Sequence, residues 1–252
     1  MQRIVIIGGG FAGVWAALGA AAARRDARNR AIRITLVTRE PFLTIRPRLY
    51  EADLTNVRVP LVPLLDALDV DTIVGEATRL DTTARTVAID TASGPTTIGY
   101  DRLIVAAGSR LRRPSIPGAD HAFGVDTYGE AEALGQHLRT LGSRPAVEGR
   151  FTAVVVGAGL AGLEVATTMV SRLLALSSRA ASTRPAGERP EVVLVERSDA
   201  VAPDLGSNPR PVVEAALRAL GISLRLGQTV TEVSPEGVTM SSGEHIPAAT
   251  TI

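Results

Sequence analysis

The chain has 252 residues, 45% of them apolar and 3% aromatic, and its 27 basic and 26 acidic side chains leave a formal charge of +1. That length can bury one large core or two ordinary ones, and the near-neutral balance gives no electrostatic reason to expect a nucleic-acid partner. Every basic residue is arginine and cysteine is absent, which excludes a GxxxxGK[ST] phosphate loop, a Schiff-base lysine, a thiol nucleophile and a CxxC redox pair.

Residues 4–23, IVIIGGGFAGVWAALGAAAA, carry no charge and are long enough for a membrane span. Arg3 ahead of them and the alanines at 20–22 imitate a secretion signal. Three consecutive glycines in the middle argue against both readings. The stretch reads instead as a strand over 2–7, a glycine turn and a helix from about 11 to 24, followed by a strand at Ile32–Val37. Gly8, Gly10 and Gly13 fit GxGxxG. The first glycine allows a tight turn, the second leaves room for a pyrophosphate and the third lets helix and strand pack closely. The amides of the helix start, at Phe11, Ala12 and Gly13, then face the phosphate with the helix dipole behind them.

Between residues 70 and 109, VDTIVGEATRLDTTARTVAID and TTIGYDRLIVAAGS alternate in β fashion, with turn signals at 81–83 and 93–95. They predict a small antiparallel meander that returns a strand, Leu103–Ala107, to the first sheet. A crossover with RPSIPG at 113–118 follows, and then a helix from about Thr127 to Leu141. Arg110, Arg112 and Arg113 in this crossover are either solvated or in contact with a pyrophosphate.

The opening pattern then recurs. Thr152–Val156 leads into GAGLAGLEVATTMV, with glycines at Gly157, Gly159 and Gly162 and a helix starting around Leu160 and Ala161. Glu164 and Arg172 in that helix argue against a membrane span. The stretch SSRAASTRPAGERP, 177–190, reads as an exposed loop before a strand at Glu191–Val195. Two such βαβ units imply two dinucleotides, or a dinucleotide and a partner cofactor. His121, His137 and His245 are scattered singly, without zinc-ligand spacing, so no metal is expected.

A carboxylate closing the second strand of each unit can hold adenosine ribose hydroxyls. VVLVER puts Glu196 at that point in the second unit, with Arg197 beside it. Such a carboxylate repels the extra phosphate of NADP and favours NADH; the alternative is a solvated charge at a strand end. ITLVTRE puts Thr38, followed by Arg39, at the matching point of the first unit. A threonine offers the ribose only neutral hydrogen bonds, weaker than charge-assisted ones, with Glu40 reaching back.

The two GxGxxG motifs, YDRLIVAAGS at Tyr100–Ser109, IPG at Ile116–Gly118 and Gly-Leu-Glu at 162–164 together resemble the two-dinucleotide-binding-domain flavoproteins of the pyridine nucleotide-disulfide oxidoreductase superfamily. The absence of a cysteine pair and RPRLYE at 46–51 resemble its type II NADH dehydrogenase branch. The resemblance implies an α/β fold: two Rossmann-like, three-layer ββα domains with antiparallel β-meander crossovers, an FAD-binding domain over 1–112 and an NAD(H)-binding domain over 113–252. It implies FAD in the first and NADH in the second, with hydride passing to the flavin and electrons on to a quinone-like acceptor, in the cytoplasm or peripherally on the cytoplasmic face of a membrane. Glu164 takes a catalytic or positioning role, or is simply a polar residue favoured by the helix dipole. Arg46 and Pro47, with Leu49 and Tyr50, lie beside the isoalloxazine, and Ala107 and Gly108 line the same cofactor. Arg46 and Arg48 either attract an anionic flavin or acceptor or pair with Glu51.

Matching the second unit to the first sets Ile246-Pro247 against Tyr100-Asp101 and ends the chain near the equivalent of Ala106. By this reading the family's third FAD segment and its carboxy-terminal membrane or dimer surface lie outside the chain, a fragment of a longer oxidoreductase. The other readings are a nucleotide-binding module without turnover, half of a two-chain assembly, or a reductase of a protein acceptor such as a ferredoxin.

Overall fold

The computed structural model describes residues 2–29, 31–112, 114–180 and 189–252, the side chain of Asp204 apart. Arg113 and the 181–188 part of the expected loop lie outside the described residues. The chain divides into two compact units, one of residues 1–45 and 55–110 and one of residues 46–54 and 111–252.

In the first unit β1 (Gln2–Ile7) runs into α1 (Phe11–Asp26), and β2 (Ile32–Thr38) returns parallel to β1. A hairpin of β3 (Phe42–Thr44) and β4 (Arg58–Pro60) and the short α2 (Leu61–Asp66) precede the long β5 (Asp71–Asp81). The first residues of β5 pair parallel with β2 and the rest pair antiparallel with β6 (Thr86–Thr91), which pairs with β7 (Gly94–Gly99). β8 (Arg102–Val105) closes on the other side of β1, giving the order β7-β6-β5-β2-β1-β8. The meander therefore forms as the alternation predicts, with Asp81 Oδ1 accepting from the Thr83 and Ala84 amides to hold its first turn. The returning strand is shorter than expected: it stops at Val105, leaving Ala106 and Ala107 beyond the sheet.

The parallel strands are buried on both faces, as apolar runs between two covering layers must be. Ile6, Ile34 and Leu36 face Val14, Ala17 and Ala21 of α1 and Leu61 and Leu65 of α2. Val5 and Val37 point the other way, against Val87 and Ile89 of the meander. The α1 residues recur every three or four positions, and two of them are alanines, which lets the helix axis lie close to the sheet.

The second unit repeats this plan. α3 (Tyr128–Thr140) begins with a capping box, Thr127 Oγ1 accepting from the Glu130 amide and Glu130 accepting from the Thr127 amide. β9 (Thr152–Val156), α4 (Leu160–Arg179), β10 (Glu191–Glu196), α5 (Arg210–Ala219) and β11 (Ser223–Leu226) follow, then β12 (Val230–Ser234), β13 (Gly237–Met240), β14 (His245–Pro247) and β15 (Thr250–Thr251). The parallel sheet has the order β11-β10-β9-β15, and β12-β13-β14 form a separate antiparallel meander. Ala153, Val155, Val192 and Leu194 face the helices, whereas Val154, Val193 and Val195 face the meander through Val233, Val238 and Ile246. This is the expected three-layer α/β architecture, present twice.

Two boundaries differ from the sequence reading. α4 continues to Arg179 through residues expected in a loop, because Ser177 is buried and its hydroxyl donates to the Leu174 carbonyl of the preceding turn. β15 pairs with β9 through Thr250 opposite Ala153, as β8 pairs with β1 through Arg102 opposite Ile4. That register sets Thr250 against Arg102 and Ile252 against Ile104, two residues short of the expected match. α4 is also the one described helix long and apolar enough to cross a membrane, with Val165, Ala166, Met169 and Leu173 in the core beside β9 and β10.

His137 shows how tightly the second unit closes. Its ring lies 4.4 Å from that of Phe123, its Nε2 3.0 Å from Thr250 Oγ1 and its Nδ1 3.2 Å from an Arg144 nitrogen. Burial first, and the Arg144 charge second, lower its pKa from 6.5 to about 4, against a smaller opposing pull from the Ala249 main chain. Between those values the unfolded chain binds a proton that the folded chain refuses, so stability is complete above pH 6.5 and falls as pH drops toward 4. Denaturant titrations across this window are expected to show a steeper acid loss for wild type than for His137→Gln; parallel curves would remove His137 from the acid response.

Candidate functional site

Both glycine elbows are built by the same few backbone contacts. Gly8 and Gly157 take φ of +115° and +106°, a region that disfavours any side chain. The Gly8 amide donates to the Val37 carbonyl at 2.8 Å and the Gly157 amide to the Val195 carbonyl at 2.8 Å, so each turn is pinned to the neighbouring parallel strand. A Cβ on Gly13 would overlap the Gly8 carbonyl oxygen, and one on Gly162 the Gly157 carbonyl oxygen. The middle glycines behave differently: Gly10 and Gly159 have nothing within 4 Å of a Cβ and ordinary extended backbone.

Helix α1 starts after Gly10 and α4 after Gly159, neither with a side-chain cap nor with an acidic residue in its first turn. The first intrahelical bonds come from Val14 to Gly10 and from Leu163 to Gly159, which leaves the amides of Phe11, Ala12 and Gly13, and of Leu160, Ala161 and Gly162, without helical acceptors. Phe11, Ala12, Leu160 and Ala161 are exposed. Each elbow thus presents open space at its second glycine and a row of donor groups at the positive end of a helix, the arrangement that takes an anionic diphosphate.

The strand ends differ. Glu196 is buried at the end of β10; its Oε2 accepts from the Ala158 amide at 2.7 Å and its Oε1 from the Ser198 amide at 2.9 Å. Burial raises its pKa, but the Ser198 and Ala158 hydrogen bonds and the nearby Arg197 charge outweigh that and leave it below the ordinary carboxylate value. The carboxylate therefore stays ionised at the lip of the second elbow, held by the Ala158 amide and by both the amide and the hydroxyl of Ser198. Arg197 next to it is exposed.

In the first unit Gly9 stands where the second has Ala158, and a Cβ there would overlap Thr38 Oγ1. The Thr38 hydroxyl donates to the Glu40 carbonyl at 2.9 Å, and the Glu40 carboxylate reaches Arg58 at 3.2 Å, whose guanidinium stacks 3.9 Å above the Phe42 ring. Glu40 is thus directed at the β3–β4 hairpin, away from the role of reaching back to a ribose. Arg39, Ala107 and Gly108 are exposed, Gly108 with φ of +71°.

Arg46, Pro47, Leu49 and Tyr50 fall in the second unit. Arg46 pairs with Asp126, whose other oxygen accepts from the Leu111 amide at 3.1 Å. Arg48 grips Glu51 through two bonds of 2.6 and 2.7 Å, which holds the Glu51 carboxyl below its usual range. Leu49 is fully buried and Tyr50 packs against the helix-facing core, so of the four Arg46 and Pro47 are exposed. Glu164, in the first turns of α4, is exposed and takes no side-chain partner among the described residues. Asp126 and the Ser198 amide escaped the sequence reading; nothing local marks the first, whereas the second follows from a loop turning directly after a buried glutamate.

The model of a known family, described as pyridine nucleotide-disulphide oxidoreductase, matches residues 2–252. The chain belongs to that family. Among its relatives, an NADH dehydrogenase-like protein of Mycobacterium tuberculosis is 43% identical over 255 residues, covering 100% of this chain and 62% of the relative. A demethylphylloquinone reductase of Synechocystis is 28% identical, covering 96% of this chain and 58% of the relative. Of solved structures, NDH2 from Plasmodium falciparum in complex with NADH superposes with a TM-score of 0.82 at 16% identity, covering 100% of this chain and 54% of that one, a likeness of fold. An NAD-dependent persulfide reductase from A. fulgidus gives 0.75 at 26% identity, covering 99% and 44%. The chain therefore spans about three fifths of the length of the curated relatives it matches. As a member of the pyridine nucleotide-disulphide oxidoreductase family that lacks cysteine, it holds no disulfide of its own to exchange.

The elbows make a stability prediction. Gly13→Ala and Gly162→Ala are each expected to cost about 3 kcal/mol through overpacking against a carbonyl, whereas Gly10→Ala and Gly159→Ala leave stability unchanged in thermal and denaturant unfolding. Equal costs at the outer and middle glycines would contradict the packing described.

Proposed function

We propose that the parent protein is a flavin reductase that binds FAD at the first elbow and NADH at the second, oxidises NADH and reduces a quinone-like acceptor. The observation that carries this reading is the repeated elbow, with an open middle glycine and an uncapped helix start in both units, accompanied by an ionised strand-end carboxylate in one of them. Family membership supports oxidoreductase chemistry. The demethylphylloquinone reductase and type II NADH:quinone oxidoreductase relatives support a quinone over a protein acceptor. When bound, the two cofactors supply a hydride donor and a two-electron carrier.

What the chain's own residues do follows from their placement. The amides of Phe11, Ala12 and Gly13 hold the FAD diphosphate, and those of Leu160, Ala161 and Gly162 the NADH diphosphate, each backed by its helix dipole. Glu196 accepts the adenosine ribose hydroxyls on its remaining lone pairs, and its negative charge repels a 2′-phosphate. Thr38 and Arg39 meet the corresponding end of FAD with neutral and cationic groups in place of an acid. Glu164 is exposed at the start of α4 and has no side-chain partner among the described residues; it orients the nicotinamide end of its ligand. Ala107, Gly108, Arg46 and Pro47 complete the FAD surroundings, and Arg197 flanks the ribose of NADH. In this reading 1–112 serve FAD and 113–252 serve NADH, and a quinone acceptor places the parent protein at the cytoplasmic face of a membrane.

The test uses absorbance and coenzyme titration. Wild type is expected to purify yellow and to bleach when NADH is added without oxygen, then to recover its colour with menadione. Gly10→Glu, which puts a carboxylate into the diphosphate space, is expected to purify colourless yet still bind NADH; flavin content equal to wild type would overturn the first assignment. Glu196→Gln keeps an acceptor but removes the charge, and is expected to narrow the preference for NADH over NADPH by about tenfold, the scale of one charge-assisted contact. An unaltered preference would remove Glu196 from ribose recognition.

A further inference from the structure

The chain passes into the second unit twice, at Arg46 and again at Leu111. One carboxylate inside that unit holds both places. Asp126 pairs through Oδ1 with the Arg46 guanidinium, and its Oδ2 accepts from the Leu111 amide at 3.1 Å. Asp126 is in turn oriented by the start of α3, because its own amide donates at 3.2 Å to Glu130 Oε2, the oxygen that also accepts from the Thr127 amide in the capping box.

The two arginines of this segment are answered in different ways. Arg48 finds a counter-charge three residues away, in Glu51, within its own turn. Arg46 takes one from 80 residues along the chain. The Asp126 side chain is 20% exposed and that of Arg46 43%, and an ion pair so open to water adds little to stability. Its effect is on place and charge. With the carboxylate present, the Arg46–Pro47 turn is tied to the start of the crossover and the pair is neutral as a whole; without it the same turn gains one net positive charge.

We propose that Asp126 is a positioning residue for the flavin: it holds the Arg46–Pro47 turn in place and sets the net charge that this turn presents to the isoalloxazine. The inference rests on the reading that Arg46 and Pro47 belong to the FAD surroundings. Reduced flavin is an anion at neutral pH, so a positive charge near the ring favours reduction and a negative charge opposes it.

Redox titration of the FAD-loaded chain against a reference dye, in wild type and three variants, tests it. Asp126→Asn adds one net positive charge and is expected to favour the reduced flavin by about tenfold, a rise of about 30 mV for a two-electron couple. Arg46→Gln removes the positive partner and is expected to move the equilibrium by the same factor the other way. The double variant is neutral again and is expected to return close to wild type. Substitutions that only loosened the fold would not give opposite signs that cancel. Shifts of one sign in both single variants, or no shift in either, would overturn the assignment. Hydrogen exchange at the Leu111 amide reads the clamp with or without flavin. Asp126→Ala is expected to exchange there about tenfold faster than wild type, and Asp126→Asn, which keeps an acceptor oxygen, much less so. Equal exchange in wild type and Asp126→Ala would overturn the clamp itself. A chain that purifies colourless and takes up no FAD withdraws the flavin reading alone, and the exchange measurement still decides whether Asp126 holds the segment.

Discussion

In each unit the carbonyl oxygen of the first glycine in the elbow occupies the space that a side chain on the third glycine would need. That approach fixes how near the helix lies to the strand before it, and much else follows. Beyond that contact the helices pack on the sheet through a mixture of small and larger residues, Val14, Ala17 and Ala21 in α1 and Val165, Ala166, Met169 and Leu173 in α4. The same approach aims the unpaired amides of the helix start past the strand end, at the rim where a ligand can reach them. Core packing and binding geometry are in this sense one constraint, imposed by three glycines in each copy.

The two copies keep this constraint and diverge where it does not act. Gly8 and Gly157 are pinned by equivalent hydrogen bonds of equal length, whereas the residues that close β2 and β10 are a threonine and a glutamate. Glu196 takes one elbow amide, that of Ala158, for itself and brings an ionised carboxylate to the lip. Thr38 turns its hydroxyl to its own loop and leaves the first elbow without a negative charge. The backbone turn is common to both, and the chemical difference between the two elbows lies in a single side chain at the strand end. Because the carboxylate is held by the Ala158 and Ser198 amides, its orientation is fixed by the fold itself.

Much of this was legible because it is local. Glycine spacing, the apolar runs of the parallel strands and the β alternation between residues 70 and 99 each report on neighbours in sequence, and the three-layer plan emerges from them. The errors came where tertiary contacts outweighed local preference. Ser177 to Arg179 read as loop by composition, but burial of Ser177 against the core carries α4 onward. The two-residue error in matching the copies arises because their meanders differ in length, β6 and β7 having 6 residues each in the first unit against 4 and 3 for β13 and β14 in the second. Residues 46–54 showed nothing in sequence of their membership in the second unit, since the partners that hold them, Asp126 and the core around Tyr50, lie far along the chain.

The ion pairs decide which groups remain to meet a charged ligand at the candidate site. Arg46 is engaged by Asp126, Arg48 by Glu51, Glu40 by Arg58, and the Glu196 carboxylate by two amides. Side-chain charges that look available in the sequence are in large part satisfied within the fold. The donors without helical acceptors are backbone amides at two helix starts, groups that no exchange of side chain short of proline removes. A chain without lysine thus keeps two positively polarised helix starts, supplied by the backbone alone.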